Sequence, residues 1–333
     1  MLSETPDGLY CAAGGFHVDP WGAVPRALIT HAHGDHARAG SAAYLCAARC
    51  APLLRRRLGP DPVIEAVPYG QRLRLGEVTV SFHPAGHVLG SAQVRVEGAD
   101  GVWVVSGDYK RAADPTCEPL EPVACDTFVT ESTFGLPVYR WDPTATVIAD
   151  LLAWWDANRD GGRASIVFCY TLGKAQRLLA ELAAVTDRPV LVHGMMVPTI
   201  EVYRAAGVPM LTTETLVERA RGQSLAGELV LAPLSARGTP WMRRLGEFSD
   251  AFASGLMRVR GVRRQRAFDR GFVLSDHADW PAILDTVRDT GAARVLATHG
   301  HAEPLARFLR EQGLEAGVIR TAWEGEAGSD EAA

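Results

Sequence analysis

Four potential metal ligands stand within six residues of this chain, directly after the short apolar run 28–30. They are His31, His33, Asp35 and His36. Imidazole and carboxylate groups bind divalent cations, and a tight loop after a strand can aim several of them at one point. His31 and His33 can serve one cation, and Asp35 and His36 a second. Two cations need more ligands than this loop supplies, so others are expected on loops after later strands.

Other strand-like runs also end in residues that can bind a cation or move a proton. The run at 78–82 leads into a small-residue loop that carries His87, and the run at 101–105 is followed by Asp108. Three later runs lead to Glu131, His277 and His299. Strands that each end in a polar ligand are a specific signal for one shared site.

The order of these residues resembles the motifs of a known superfamily. The pattern His-x-His-x-Asp-His at 31–36 resembles the second motif of the metallo-β-lactamase superfamily, and His87 and Asp108 match its third and fourth motifs. Asp19, which closes a strand before a proline, resembles the first motif, with an ordinary turn aspartate as the alternative. The motifs called A, B and C in the β-CASP branch of that superfamily are matched by Glu131, His277 and His299.

This resemblance implies an α/β fold, an αββα metallo-β-lactamase sandwich with an inserted small α/β β-CASP domain. Residues 1–137 and 253–333 would form the discontinuous outer domain, and residues 138–252 the insert. Between 143 and 231, strand-like and helix-like runs alternate with short turns, which favours a small parallel sheet with covered faces. The segment 41–58 is rich in alanine, leucine and arginine and is predicted to be helical.

The resemblance also implies two divalent metal ions, with zinc favoured and manganese as the alternative. The first ion would be held by His31, His33 and His87, and the second by Asp35, His36 and His299. Asp108 would bridge them. Two such cations lower the pKa of a shared water, which becomes the attacking hydroxide, and neutralise charge on the attacked phosphate.

The implied catalytic residues are Asp35, His277, Glu131 and Asp19. His277, oriented by Glu131, would protonate the leaving oxygen, because a histidine pKa of about 6.5 lies near the operating pH. Asp19 would hold the 31–36 loop in place without binding a metal ion itself.

Two stretches are candidates for nucleic-acid contacts. Lys174 follows a glycine at a strand-to-helix junction, where phosphates bind, although a plain helix start is the alternative. From 255 to 270, six arginines stand against one acid. Alternate spacing places Arg258 and Arg260 on one face of a predicted strand, which is either a phosphate-binding surface or a solvated edge. The predicted contacts are Lys174, Arg258, Arg260, Arg264 and Arg266.

Within the β-CASP branch, the opening at 16–21 and the compact insert resemble the bacterial exonucleases associated with an ATP-dependent DNA ligase and a helicase. That resemblance implies a DNA exonuclease acting in DNA repair, with single-stranded DNA favoured over RNA. The histidine at motif C, His299, favours RNA as the substrate instead, because a histidine there is usual in the RNA-cleaving members. A β-CASP ribonuclease of RNA processing or decay is therefore the alternative.

Composition places this chain among globular proteins. It has 333 residues, 47% hydrophobic and 22% charged, with a formal net charge of −5. No run approaches the ~20 apolar residues of a membrane span, and no signal segment opens the chain, so the expectation is a cytoplasmic protein without a membrane partner. The six cysteines lack CxxC spacing and are expected to be reduced, with Cys46 and Cys50 as a conceivable metal pair.

Overall fold

A computed structural model describes residues 1–219 and 222–320. Its contacts divide the chain into two units. Unit 1 comprises Met1–Pro137 and the chain from His277 onward, and unit 2 comprises Val138–Asp276. No helix within the described ranges is long and apolar enough to cross a membrane.

Unit 1 contains two sheets. The first has six strands in chain order: β1 (Leu2–Thr5), β2 (Gly8–Cys11), β3 (Phe16–Val18), β4 (Ala27–Ile29), β5 (Ala43–Ala47) and β6 (Val63–Val67). Strands β1 to β3 are antiparallel, and β3 to β6 run parallel. One helix, α1 (Ala51–Leu58), follows β5 and contacts β6.

The second sheet of unit 1 has seven strands. Five come first, namely β7 (Leu73–Leu75), β8 (Val78–Pro84), β9 (Ala92–Gly98), β10 (Gly101–Val105) and β11 (Thr127–Glu131). Two follow unit 2 in the chain, β18 (Arg294–Thr298) and β19 (Glu315–Val318). Their order in the sheet is β19-β18-β11-β10-β9-β8-β7, and β10, β11, β18 and β19 run parallel.

Two helices cover the outer face of this second sheet, α6 (Trp280–Thr290) and α7 (Ala302–Glu311). Ile283 and Leu305 are fully buried in one apolar cluster with Phe128 and Val295 of the sheet. Helix α6 begins at Asp279, whose side chain accepts a hydrogen bond from the Ala282 amide and so caps the helix. Helices outside two sheets make the αββα sandwich, and that prediction is confirmed.

Unit 2 is built on a parallel sheet. Its strands are β12 (Ala164–Phe168), β13 (Val190–Val192), β14 (Thr213–Thr215), β15 (Leu229–Ala232), β16 (Phe248–Ala253) and β17 (Arg270–Phe272), in the order β14-β13-β15-β12-β16-β17. Its helices are α2 (Thr144–Asp160), α3 (Lys174–Ala183), α4 (Val197–Ala205) and α5 (Arg260–Arg266).

Both faces of this sheet are buried. Val167 lies in an apolar cluster with Leu178 of α3, whereas its neighbours Ile166 and Phe168 lie in a separate cluster with Met257. Successive residues of a strand point to opposite faces, so the two clusters are the two cores of one sheet. The predicted parallel sheet with covered faces is confirmed.

The structure corrects two predicted elements. The first half of segment 41–58 is strand β5 and not helix, because 43–47 pairs in parallel with β4 and β6 and buries Leu45 and Cys46. The prediction of a strand that carries Arg258 and Arg260 is also wrong. Arg258 ends a short 3₁₀ turn (Gly255–Arg258), and Arg260 begins helix α5, so the two side chains do not share a strand face.

The boundary between the units also differs from the predicted one at a single point. Residues 253–276 were expected in the outer domain, whereas contacts place them in unit 2. The reason is that β17 pairs in parallel with β16 and so extends the sheet of unit 2. The last predicted stretch of the outer domain, 321–333, lies outside the described residues.

Candidate metal centre

The candidate ligand residues of unit 1 come from loops that strand topology brings together. Asp108, Glu131 and His299 lie at the carboxyl ends of β10, β11 and β18, which are parallel neighbours in one sheet. His87 lies between β8 and β9, and β8 also runs in the direction of β10. The 31–36 loop follows β4 of the other sheet. Carboxyl ends of parallel strands meet at one edge, so these loops converge.

Four side chains form the first donor group. His33 Nδ1 lies 3.0 Å from His31 Nε2 and 3.1 Å from His87 Nε2. Asp108 Oδ2 lies 3.5 Å from His31 Nε2, and the ligand atoms of all four residues fall within 4.8 Å of one another. Three imidazole nitrogens and a carboxylate around one point are a donor set that suits a divalent cation such as zinc.

A second donor group shares Asp108 with the first. His36 Nε2 lies 3.5 Å from Asp108 Oδ1 and 3.8 Å from Asp35 Oδ2, and the His36 and His299 rings stack with centroids 5.2 Å apart. Within the described ranges, Asp35 Oδ1, His36 Nε2 and His299 Nδ1 are buried without a hydrogen-bond partner. Because an unpaired buried polar atom costs about 1–3 kcal/mol, three such atoms in one group fit a second cation.

Asp19 binds both Thr30, which precedes the 31–36 loop, and His36, which ends it. Its Oδ1 accepts the Thr30 amide at 2.8 Å and its Oδ2 accepts the Thr30 hydroxyl at 2.6 Å. Oδ2 also lies 2.8 Å from His36 Nδ1. A carboxylate on one ring nitrogen keeps the proton there and leaves the other nitrogen, Nε2, as the ligand atom. Thr30 was not predicted, although a polar residue at the end of an apolar strand was its sequence signal.

Burial and neighbouring charges set the protonation of these groups before any cation binds. Burial, followed by His36, holds the pKa of His31 well below its usual value, so His31 is a neutral ligand. Burial opposes charge on His36, but Asp108, Asp35 and Asp19 outweigh it and raise the His36 pKa well above its usual value. Burial opposes charge on Asp108 too, yet His36 and His277 hold its pKa well below the usual range.

His277 and Glu131 form a buried pair beside the first donor group. His277 Nδ1 lies 3.1 Å from Glu131 Oε1 and 3.0 Å from Oε2, and 3.9 Å from Asp108 Oδ2. The Tyr109 amide donates to Glu131 Oε1 at 2.8 Å, and the Ala278 amide donates to the Tyr109 carbonyl at 2.7 Å. The carboxylate therefore fixes the ring, and backbone hydrogen bonds fix the carboxylate.

Two site residues adopt a backbone conformation that sequence did not predict. Asp19 has φ of 44° and His299 has φ of 58°, in the left-handed region that residues other than glycine rarely adopt. Such conformations cluster at functional sites, where surrounding contacts hold them. Gly107 has φ of 56°, and an added Cβ would lie 2.6 Å from Thr30 Cβ. The glycine before Asp108 therefore permits close approach to the residue that binds Asp19.

The predicted nucleic-acid contacts all lie in unit 2. Lys174 is fully buried with Nζ 2.9 Å from Asp276 Oδ2, so this prediction is corrected: the side chain is engaged in an ion pair and does not face solvent phosphate. Arg258 Nη1 lies 3.2 Å from Asp142, and the Arg266 guanidinium lies 5.2 Å from the centre of the Phe252 ring. Arg260 and Arg264 are exposed.

Comparison with known proteins places these features in a family. No family model matches the chain. A protein of Opitutus terrae named a probable DNA ligase is 33% identical over 316 residues, which is 94% of this chain and 30% of that protein. A ribonuclease of Thermus thermophilus is 28% identical over 54% of this chain and 46% of its own length. An endoribonuclease of Gibberella zeae is 33% identical over 37% of this chain and 15% of its own length.

The chain thus spans less than half the length of each of these relatives. A crystal structure of a protein of unknown function from Enterococcus faecalis shares the fold, with a TM-score of 0.58 and 12% identity over 90% of this chain and 80% of that one. These relatives, the two sandwiched sheets, and the converging histidines and carboxylates lead to one conclusion. The chain belongs to the β-CASP branch of the metallo-β-lactamase superfamily.

Proposed function

We propose that this chain is a metal-dependent nuclease that hydrolyses phosphodiester bonds. The observation that carries the proposal is the shared position of Asp108, which belongs to both donor groups and lies 3.9 Å from the His277 ring nitrogen. A proton donor thus lies beside a site with donors for two cations. This is the arrangement that phosphoryl transfer to water requires, because both the nucleophile and the leaving oxygen need stabilisation.

The residues divide between binding cations and moving a proton. His31, His33 and His87 would hold one cation and Asp35, His36 and His299 the other, with Asp108 between them. Cations bound there lower the pKa of water and neutralise phosphate charge. His277, its Nδ1 bound to Glu131, would give a proton from Nε2 to the leaving oxygen. Asp19 would keep His36 and the 31–36 loop in place.

For the substrate, we propose single-stranded DNA ends, degraded exonucleolytically during DNA repair. The support is the match of nearly the whole chain to part of a protein named a probable DNA ligase. An ATP-dependent DNA ligase and a helicase are the proposed partners. The alternative is an RNA-processing or RNA-decay ribonuclease, which the relatives named ribonuclease and endoribonuclease favour, together with His299 at motif C.

The test is cleavage of matched end-labelled single-stranded DNA and RNA, with zinc and manganese in parallel. His33→Ala removes a donor of the first group, and His193→Ala is the matched control, a half-buried histidine of unit 2 outside the site. We expect faster DNA degradation that His33→Ala abolishes and His193→Ala keeps. Preferential RNA cleavage would instead establish the alternative. Failure to cut either polymer with either metal would contradict the nuclease proposal.

A further inference from the structure

The buried Lys174 ion pair belongs to a larger network in unit 2 that none of the roles above uses. Arg177, one turn further along α3, is 2% exposed, and its Nη1 lies 3.1 Å from Asp276 Oδ1. The same Nη1 donates to the Ser275 carbonyl at 2.5 Å. Asp276 is therefore bound by a lysine at one oxygen and by an arginine at the other, and the backbone before it is bound as well.

The same arginine also contacts the beginning of unit 2. Arg177 Nη2 donates to Thr144 Oγ1 at 2.9 Å, and Thr144 is the first residue of α2. The chain passes from unit 1 to unit 2 after Pro137 and returns after Asp276. One guanidinium thus binds the incoming segment near its start and the outgoing segment at its end.

This network lies directly beside His277 in the chain. Asp276 is followed directly by His277, and Glu131, the hydrogen-bond partner of His277, stands six residues before Pro137. Beyond His277, the Ala278 amide is bound by the Tyr109 carbonyl at 2.7 Å. The histidine therefore projects from a backbone segment that is held on both sides.

Burying this much charge is costly, which argues that the network serves more than stability. Lys174, Arg177 and Asp276 are 0%, 2% and 5% exposed. Buried ion pairs are frequently no more stabilising than apolar residues of the same size, but they impose one geometry on the groups they join. An acid that must meet a leaving oxygen needs such a fixed geometry, because a displacement of about 1 Å can cost a hundredfold in rate.

We propose that Lys174 and Arg177 are positioning residues, which act through Asp276 to fix the backbone that carries His277. This proposal rests on the proposed role of His277 in the nuclease reaction. It assigns Lys174 a part that differs from phosphate binding.

The experiment is a double-mutant cycle with Asp276→Asn and His277→Ala in the metal-loaded full chain. Asp276→Asn keeps the size of the side chain and removes its charge. We expect it to lower kcat about tenfold to a hundredfold with little change in KM, because the acid and not the substrate site is displaced. In the His277→Ala background, the same substitution is expected to add no further loss.

The matched control is Asp250→Asn, which breaks another Arg–Asp pair of unit 2, with Arg237 Nη2 3.1 Å from Asp250 Oδ2. Its kcat is expected to stay within about twofold of the wild type even if the melting temperature falls. An equal loss of kcat in the Asp250→Asn protein would overturn the proposal, since any weakened unit 2 would then explain it. A full loss from Asp276→Asn in the His277→Ala background would overturn it too.

A second readout does not depend on activity. A proton on His277 Nδ1 bonded to Glu131 is expected to give a downfield, slowly exchanging NMR signal, which its absence in His277→Ala would assign. We expect Asp276→Asn to shift or broaden that signal and Asp250→Asn to leave it unchanged. An unchanged signal in Asp276→Asn would refute the positioning role. A wild-type protein with the signal but without nuclease activity would contradict the proposed function alone.

Discussion

Asp108 lies close to both donor groups and to His277. One of its oxygens approaches His31, and the other approaches His36, so a single carboxylate joins the two donor groups. Burial raises its pKa, but the electrostatic interactions with His36 and His277 outweigh burial and hold the pKa well below the usual range. The carboxylate is therefore ionised and available to a cation throughout the neutral pH range.

In the proposed function, His277 transfers a proton and the donor groups bind cations, and a substitution can test that separation. We predict that His277→Ala lowers kcat about a hundredfold to ten-thousandfold, the usual contribution of a general acid. Bound metal, measured by elemental analysis, is expected to equal that of the wild type. A variant that loses metal along with activity would show His277 to be a ligand, and the assignment as acid would fall.

Asp19 provides a second test at this scale, because it contacts Thr30 and His36 but belongs to neither donor group. We predict that Asp19→Asn lowers zinc affinity about tenfold to a hundredfold, since His36 loses the carboxylate that fixes its ring proton. Competition with a chromogenic chelator measures the affinity. Asp100→Asn is the control, because the Asp100 side chain is 76% exposed. Equal zinc affinity in both variants would deny Asp19 this role.

At the scale of elements, the site depends on how strands end. Gly107 joins β10 to Asp108 with positive φ and leaves room for Thr30. Strand-end residues could be predicted because apolar runs followed by histidine or aspartate are visible in the sequence. The left-handed backbone of Asp19 and His299 was not visible, since only contacts formed in the folded chain stabilise it.

Contacts that form only in the folded chain also explain the incorrect predictions. Segment 43–47 has a composition typical of a helix, but it forms a strand because it pairs with both β4 and β6. Lys174 looked like a phosphate ligand because its partner, Asp276, lies 102 positions away in the sequence. Local pattern can point to the candidate ligands because they follow the ends of strands, whereas pairing between distant residues requires the tertiary structure.

Gly107 offers a test that separates backbone strain from steric clash. We predict that Gly107→Ala destabilises the protein by more than the ~1–3 kcal/mol expected for positive φ alone, because the new Cβ would meet Thr30 at 2.6 Å. Gly70→Ala is the control, with φ of 76° and nothing within 4 Å of the added Cβ. Chemical denaturation measures both. Equal destabilisation would show that contact with Thr30 is relaxed at no cost.

Helix α5 carries three of the predicted nucleic-acid contacts, of which Arg260 and Arg264 are exposed and Arg266 is half-buried. We predict that Arg264→Ala with Arg266→Ala weakens nucleic-acid binding and flattens its dependence on salt concentration, because fewer counterions are released. Fluorescence anisotropy across a salt series measures the slope. Arg307→Ala, a 78% exposed arginine of α7, is the control. If the slope of the double variant matched that of the control, α5 would be a solvated surface helix.

At the scale of the whole molecule, the two units are built in different ways. Unit 2 has its own cores on the two faces of a parallel sheet, whereas the ligands of unit 1 come from both of its sheets. Cations bound to unit 1 would therefore cross-link its two sheets. Any ligand that binds only the folded state raises stability through mass action.

Metal removal tests this difference. We predict that zinc at a hundredfold excess over its dissociation constant raises the free energy of unfolding by about 2.7 kcal/mol, and that EDTA reverses the gain. Scanning calorimetry with and without EDTA measures it. His33→Ala, which keeps the second donor group, is expected to show a smaller zinc-dependent shift than the wild type. A zinc-dependent shift of equal size in that variant would show that the stabilising zinc does not bind at the first donor group.

The order of the ligands along the chain has a consequence for biosynthesis. His31, His33, His87 and Asp108 all precede unit 2, whereas His277 and His299 follow it. The ribosome therefore synthesises the complete first donor group before unit 2, and synthesises His277 and His299 only after all of unit 2. On the proposed assignment, a nascent chain halted inside unit 2 would hold the donors for one cation but would lack both His277 and His299. On the proposed assignment, the chain can therefore cleave a substrate only after translation has passed unit 2.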